Sequence, residues 1–304
     1  MSRQQGNKHQ VLKQQIAQWL EEHAVDEGLI ETGIQGVQLF RVTDAVRCAP
    51  AVYEPSVTVI LSGTKEAILD GQRHLYSSDQ YFCCTMPTPV EAGAPDASPD
   101  HPLLGVYISL DTRLMSELSL EMDNAAATIR RPSASVIAQS VVASDWDMGF
   151  ADALYRLLLL DNDTDKAVLG SSRLRELYYA ILKGASGASV KQAFGVGNEI
   201  ARAINYLSSH LDESVSIDRI AAQVGMSRAV FHRKFKQATR LSPIQFVKSM
   251  RLNSAAIKIA DGMNVSSAAM DVGYVSSSQF SREFKRMYGQ SPKQWIRDYS
   301  AQSA

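Results

Sequence analysis

The sequence predicts an α+β chain in two parts: an N-terminal β-barrel or sandwich with flanking helices, then a C-terminal all-α domain carrying one helix-turn-helix unit twice. Three observations carry this. Residues 36–110 break into short segments rich in β-branched and aromatic residues, separated by turn residues. Near the C-terminus the chain nearly repeats itself, as "VGMSRAVFHRKFKQATRLSP" from Val224 to Pro243 and "VGYVSSSQFSREFKRMYGQSP" from Val272 to Pro292. Charge also divides along the chain. Residues 198–304 hold 15 Lys+Arg against 8 Asp+Glu, a net of +7, whereas residues 1–197 carry a net of −8. A basic C-terminal third points to an anionic partner there.

A chain of 304 residues with 45% hydrophobic content can fill two domain cores. No apolar run approaches the roughly 20 residues that span a bilayer, so no membrane partner is expected. The N-terminus "MSRQQGNKHQ" lacks a signal-peptide core, and three cysteines suit a reducing compartment, so a cytoplasmic location is expected.

Residues 9–25 place Leu12, Ile16, Trp19 and Leu20 at helical spacing. Strands are expected in "GVQLFRV", "SVTVILSG", "KEAILDGQRHLY", "QYFCCTM" and "LLGVYISL", with Asp70-Gly71 turning one hairpin. Residues 88–102, "TPVEAGAPDASPDHP", look like a loop. Beyond residue 111, "FADALYRLLLL" and "RLRELYYAILKGA" predict two antiparallel helices joined by "DNDTDKAVLGSS". Their wide apolar arc predicts a dimer surface within residues 147–184, with Leu177 and Tyr178 on it. The small-residue stretch 184–197 looks like a linker. The chain is therefore expected to divide near residue 190, into a part of residues 1–190 that includes this dimer surface and a part of residues 191–304.

Each repeat describes two short helices around a glycine turn. In the first, Ile217, Ile220, Ala221 and Val224 form one buried stripe after the cap Ser216, and Gly225 turns left-handed. Ser227 then caps a helix that buries Phe231 and Phe235. In the second, Asn264 caps, Val265, Ala269 and Val272 are buried, Gly273 turns, Ser276 caps, and Phe280 and Phe284 are buried. The faces opposite the phenylalanines carry Ala229, His232, Arg233 and Lys236 in one copy and Ser278, Ser281, Arg282 and Lys285 in the other. Arginine pairs bidentately with guanine, and Ser and His bond to base edges, whereas a merely solvated polar face would need no matching second copy. The helix starts Ser227, Arg228 and Ser276 complete the candidate DNA-binding set. Between the copies, Ser242-Pro243 opens and Asp261-Gly262 closes a rod of about 27 Å. That length suits two recognition helices set about one DNA turn, roughly 34 Å, apart. Lys248, Arg251 and Lys258 on the rod are either phosphate contacts or ordinary surface charges.

Residues 199–299 resemble the DNA-binding domain of the AraC/XylS transcription regulators. The resemblance rests on Ile220-Ala221, Gly225, Ser227, Phe231, Phe235, Ser242-Pro243, Arg251-Leu252, Ala255, Ala269, Val272-Gly273-Tyr274, Ser278-Gln279-Phe280, Phe284-Lys285, Gly289 and Ser291-Pro292. Residues 36–110, through "YEPSVTVILSGTKEAIL", resemble the regulatory module of some members. The resemblance implies base reading by Ala229, His232 and Arg233 and by Ser278, Ser281 and Arg282. It also implies a cupin-like barrel binding an unidentified small-molecule effector, a homodimer, double-stranded promoter or operator DNA as partner, and RNA polymerase as a further candidate partner. No cofactor is implied.

A cupin enzyme is the rival reading, but His74 and His101 are isolated and no His-x-His pair offers a metal site. A regulator whose barrel only dimerises is a third. Cys83 and Cys84 lack neighbouring cations, and for them as for Cys48 packing is preferred to oxidant or electrophile sensing. Glu54 and Lys65 are read as a structural ion pair in preference to ligand groups.

Overall fold

The structure is a computed structural model that describes residues 2–78, 80–125, 138–195, 198–213 and 216–300. Helix α1 (Ser2–His23) precedes nine strands: β1 (Gly28–Glu31), β2 (Val37–Val42), β3 (Val46–Tyr53), β4 (Ser56–Ser62), β5 (Lys65–Leu69), β6 (Gln72–Tyr76), β7 (Gln80–Cys84), β8 (Thr88–Ala94) and β9 (Leu103–Ser109). Helix α2 (Thr112–Ala125) follows, then β10 (Val141–Asp145), α3 (Met148–Leu158), α4 (Asp163–Lys183) and α5 (Gly187–Phe194). The C-terminal helices are α6 (Glu199–Ser209), α7 (Ile217–Gln223), α8 (Arg228–Thr239), α9 (Pro243–Ala260), α10 (Val265–Asp271), α11 (Ser277–Tyr288) and α12 (Pro292–Ser300). None of the described helices is long and apolar enough to cross a membrane.

The strands form two antiparallel sheets, ordered β1-β2-β9-β4-β7-β10 and β3-β8-β5-β6. Among the described residues no ladder joins them, so the expected barrel is not closed. Side-chain alternation explains the layering. Val57, Val59, Tyr81, Cys83, Val106 and Ile108 point from the large sheet toward α1, α3 and α4 in the main core. The opposite face sends Phe40, Ile60, Phe82 and Leu103 against Ala67, Leu69, Tyr76 and Val90 of the small sheet. Within the large sheet Gly105 leaves room for the Phe40 ring, because a Cβ there would lie 2.2 Å from the Val59 carbonyl and 2.3 Å from that ring. Edges that a barrel would zip together are covered instead. Helix α9 lies on β3 and β8, and the Ser140 amide donates to the Ala238 carbonyl of α8 at 3.0 Å.

Several expectations are corrected here. Thr88–Ala94 is not loop but β8, paired on both sides with β3 and β5. Strands β1, β3 and β10 carried no clear sequence pattern. The supposed linker contains α5, which buries Val190, Ala193 and Phe194. The joining segment before the second long helix is largely helical too: Asn162 caps α4 by accepting from the Asp165 amide at 2.8 Å. Leu177 and Tyr178 do not face outward. Leu177 is fully buried, and the Tyr178 hydroxyl donates to the Ser109 carbonyl at 2.7 Å, because α4 packs against α3, α5 and α2 and reaches the end of β9. The exposed apolar residues of this region are Met148, Leu159, Val168, Leu169 and Tyr179.

Candidate nucleic-acid interface

The two helix-turn-helix units have matching local geometry. Gly225 and Gly273 take φ of 67° and 85°, the left-handed region that a side chain disfavours. After each glycine the next amide reaches back to the first helix, Met226 to the Ala221 carbonyl and Tyr274 to the Ala269 carbonyl, both at 2.9 Å. Ser227 accepts from the Val230 amide and Ser276 from the Gln279 amide, so each capping hydroxyl starts its recognition helix. Phe231 and Phe235 are fully buried with ring centres 5.5 Å apart, and Phe280 and Phe284 repeat this at 5.4 Å. Ile217 and Val224, expected in the first buried stripe, and Val265, expected in the second, are only half-buried.

These burials fix what faces outward. On α8, Arg228, Ala229, Arg233 and Lys236 are exposed, as is the cap Ser227. On α11, Ser278, Arg282 and Lys285 are exposed, as is Ser276, and Ser281 is half-buried. His232 is half-buried, with its Nε2 buried and unpartnered. Arg228 shares an exposed ion pair with Asp218 at 3.3 Å. Arg233 and Arg282 make no ion pair or hydrogen bond among the described residues, so both guanidinium groups are available to a ligand.

The rod α9 has the expected bounds, with the capping box Ser242/Gln245 and Pro243 at its first turn. Its cations are committed within the protein. Lys248 meets Glu283 at 3.4 Å and Lys258 meets Asp271 at 2.8 Å. Arg251 donates to the Glu213 carbonyl at 2.7 Å and lies over the Tyr274 ring. These contacts tie the rod to the helix-turn-helix units. Burial alone would raise the Glu283 pKa, but hydrogen bonds from Gln279 and Tyr274 and the nearby Lys248 charge hold it below the usual value.

Sequence reasoning missed Asn253, which is fully buried on α9. Its amide donates to the carbonyls of Ala51 (2.7 Å) and Val90 (2.8 Å) on the small sheet, and its Oδ1 accepts from the Tyr288 hydroxyl at 2.6 Å. A polar residue within the apolar stripe Phe246, Met250, Asn253 was the available signal, since a buried amide must find partners.

In the N-terminal module, Lys65 makes no ion pair among the described residues. Its ammonium lies over the rings of Phe40 (5.8 Å) and Tyr53 (5.3 Å), and burial lowers its pKa. The expected Glu54–Lys65 pair is therefore not formed. Burial, followed by the charge of Glu66, pushes the Cys48 thiol up to about 11. Burial likewise raises Cys83 and pushes Cys84 up to about 12, so none of the three is primed as a thiolate. Among the described residues no three His, Cys, Asp or Glu side chains gather as a metal site would need.

Comparison with known proteins agrees with this arrangement. Residues 220–298 match the model of a helix-turn-helix domain, and residues 33–189 match that of the AraC-type transcriptional regulator N-terminus. The regulatory protein SoxS of Salmonella typhimurium is 30% identical over 93 residues, which cover 30% of this chain and 87% of SoxS. The raffinose operon transcriptional regulatory protein RafR of Pediococcus pentosaceus is 28% identical over 165 residues, which cover 53% of this chain but only 60% of RafR. Among solved structures, unsaturated-fatty-acid-bound ToxT of Vibrio cholerae shares the fold at a TM-score of 0.52 and 10% identity, over 86% of this chain and 94% of ToxT. A regulatory module ahead of two stacked helix-turn-helix units, matched by family over more than half its length, places this chain among the AraC-type transcriptional regulators.

Proposed function

We propose that this regulator reads an operator through α8 and α11, with Arg233 and Arg282 as the principal base-reading residues. The observation that carries this is the repeated outward stripe, on which both guanidinium groups stand without protein partners. Ala229, Ser278 and Ser281 allow close approach to base edges; His232 contributes through the exposed part of its ring. Ser227, Arg228, Lys236, Ser276 and Lys285 serve the phosphates.

Replacing either Arg233 or Arg282 by alanine is expected to cost about 1–3 kcal/mol at the specific site and to relax preference at one or two base pairs. Lys236→Ala should weaken specific and random DNA alike. Selection of bound sequences from random DNA by the wild type and both arginine variants checks this. Unchanged sequence preference in both variants would reject the assignment.

Residues 1–190 act as the sensing part, a cupin-like two-sheet module for a small-molecule effector, and residues 191–304 as the DNA-binding part. Support comes from the fold shared with ToxT, one of whose structures holds an unsaturated fatty acid. The functional unit is a cytoplasmic homodimer without catalytic activity, and RNA polymerase is its further partner at the promoter.

The dimer surface is reassigned to Val168 and Tyr179, three turns apart on one face of α4 and both exposed. Val168→Asp is expected to shift dimer to monomer at micromolar concentration in light scattering. A wild type that is already monomeric there would refute the dimer.

A further inference from the structure

The turns of the two helix-turn-helix units differ by one residue. In the first, Gly225 and Met226 lead directly to the cap Ser227. In the second, Val275 stands between Gly273-Tyr274 and the cap Ser276. Met226 and Tyr274 are equivalent. Each amide donates back to an alanine carbonyl of the preceding helix at 2.9 Å, and each side chain packs on the core of its own unit. The Tyr274 ring meets Phe280 at 5.3 Å, and its hydroxyl donates to Glu283 at 2.9 Å. Val275 is therefore the inserted residue.

Its side chain is wholly exposed, at 102% of the reference area, more than any other large hydrophobic side chain among the described residues. It packs into none of the three apolar clusters. The longer turn needs one more backbone unit, but the fold does not need that unit to be apolar. Its position is specific. Val275 directly precedes the capping hydroxyl of α11, beside the exposed Ser276, Ser277 and Ser278, and about two helical turns ahead of the exposed Arg282. Residues 272–281 hold no charged side chain. The tip of α11 thus presents hydroxyls and the two valine methyls, and no cation for a phosphate. Valine can neither donate nor accept a hydrogen bond. In the major groove the apolar group open to it is the 5-methyl of thymine.

We propose that Val275 reads a thymine methyl at the edge of the half-site of α11, a base contact that the first unit lacks. This rests on the reading that α11 enters the major groove. Arg233 and Arg282 offer the same chemistry to their two half-sites. The Val275 contact adds a difference between those half-sites, and so helps to fix which way round the chain lies on its operator.

The test uses the full chain on an operator selected from random DNA. Each thymine of the half-site that depends on Arg282 is replaced in turn by uracil, which keeps every hydrogen-bonding group and loses only the methyl. At one thymine the wild type should lose about fourfold in affinity, the factor that burial of one methyl group supplies. Val275→Ser, a change at an exposed position, should lose as much on the thymine operator and no more on the uracil one. Val275→Ile should keep the thymine preference. A half-site without a thymine preference, or a uracil loss that is equal in wild type and Val275→Ser, overturns the assignment. So does a Val275→Ser loss of the same size on random DNA, which would mark a backbone contact. Any of these results alongside Arg282-dependent base preference removes Val275 alone and leaves α11 as a reader. If Arg282→Ala changes no base preference, the reading of α11 fails and the Val275 contact falls with it.

Discussion

Replacing Phe284 by alanine is expected to destabilise the second helix-turn-helix unit by about 3–5 kcal/mol, the usual cost of deleting a buried phenylalanine ring. The ring is fully buried and meets Phe280, Tyr288 and Trp295 at centroid distances of 5.4, 4.5 and 5.9 Å. The core around it is small and separate. It gathers Leu252, Ala255, Ala256 and Ile259 from the second half of α9 with the buried residues of α10, α11 and α12. The first half of α9, through Phe246, Val247 and Met250, belongs instead to the main core with Phe231 and Phe235. The loss should therefore be local. Amide hydrogen exchange should show α10–α12 losing protection while α7 and α8 keep theirs. Binding at the half-site proposed for α11 should disappear with it. Ser281→Ala, on the outward face, serves as a control and should leave protection unchanged. A uniform loss across both units would contradict the division into two cores.

The second large effect is expected at Asn253. Its alanine variant leaves the Ala51 and Val90 carbonyls and the Tyr288 hydroxyl without their buried partner. Each unsatisfied group costs about 1–3 kcal/mol, so a loss of roughly 2–4 kcal/mol is expected after partial relaxation. Asn253→Asp should be worse despite its shape. An aspartate cannot donate to two carbonyl oxygens, and its buried charge would face them directly. Its carboxyl pKa would be raised in the folded state, so that variant should lose stability as pH rises through the raised value. The same contacts hold α9 on β3 and β8, so both variants should also raise hydrogen exchange along that junction. Denaturant melts at two pH values check the sign. A variant pair with equal stability at both would show that Asn253 is not the polar tie between rod and sheet.

The helix-turn-helix units were legible because everything that defines them is local. Capping hydroxyls, a glycine at positive φ, and apolar spacing of three and four residues all lie within about twenty residues. The small sheet was legible only in its β5–β6 hairpin, where Asp70-Gly71 turns the chain; β3 and β8 were not. Strand β8 reads Thr-Pro-Val-Glu-Ala-Gly-Ala, a composition that resembles a loop, yet it is a central strand. Pro89 is tolerated near its start, opposite Val52. Gly93 lies against the irregular stretch of β3 between Val46 and Ala49, where a Cβ would come within 2.6 Å of the Val46 carbonyl. Its strand character comes from its neighbours β3 and β5, which pattern reasoning does not see. Leu177 and Tyr178 failed for a related reason. A helix with a wide apolar arc does not say which part of the arc meets its own sheet and which meets another molecule.

By itself the sequence determined the family, the two recognition helices, their outward residues and the rod between them, since short-range backbone and side-chain preferences suffice for each. Only the tertiary structure decided that the strands form two unclosed sheets, that α9 is tied to one of them through Asn253, and that the end of α8 roofs their seam. Those outcomes depend on contacts between residues as far apart as Ala51 and Asn253. Such contacts arise from the shared burial of surfaces, and no local pattern encodes which distant surface will provide the cover.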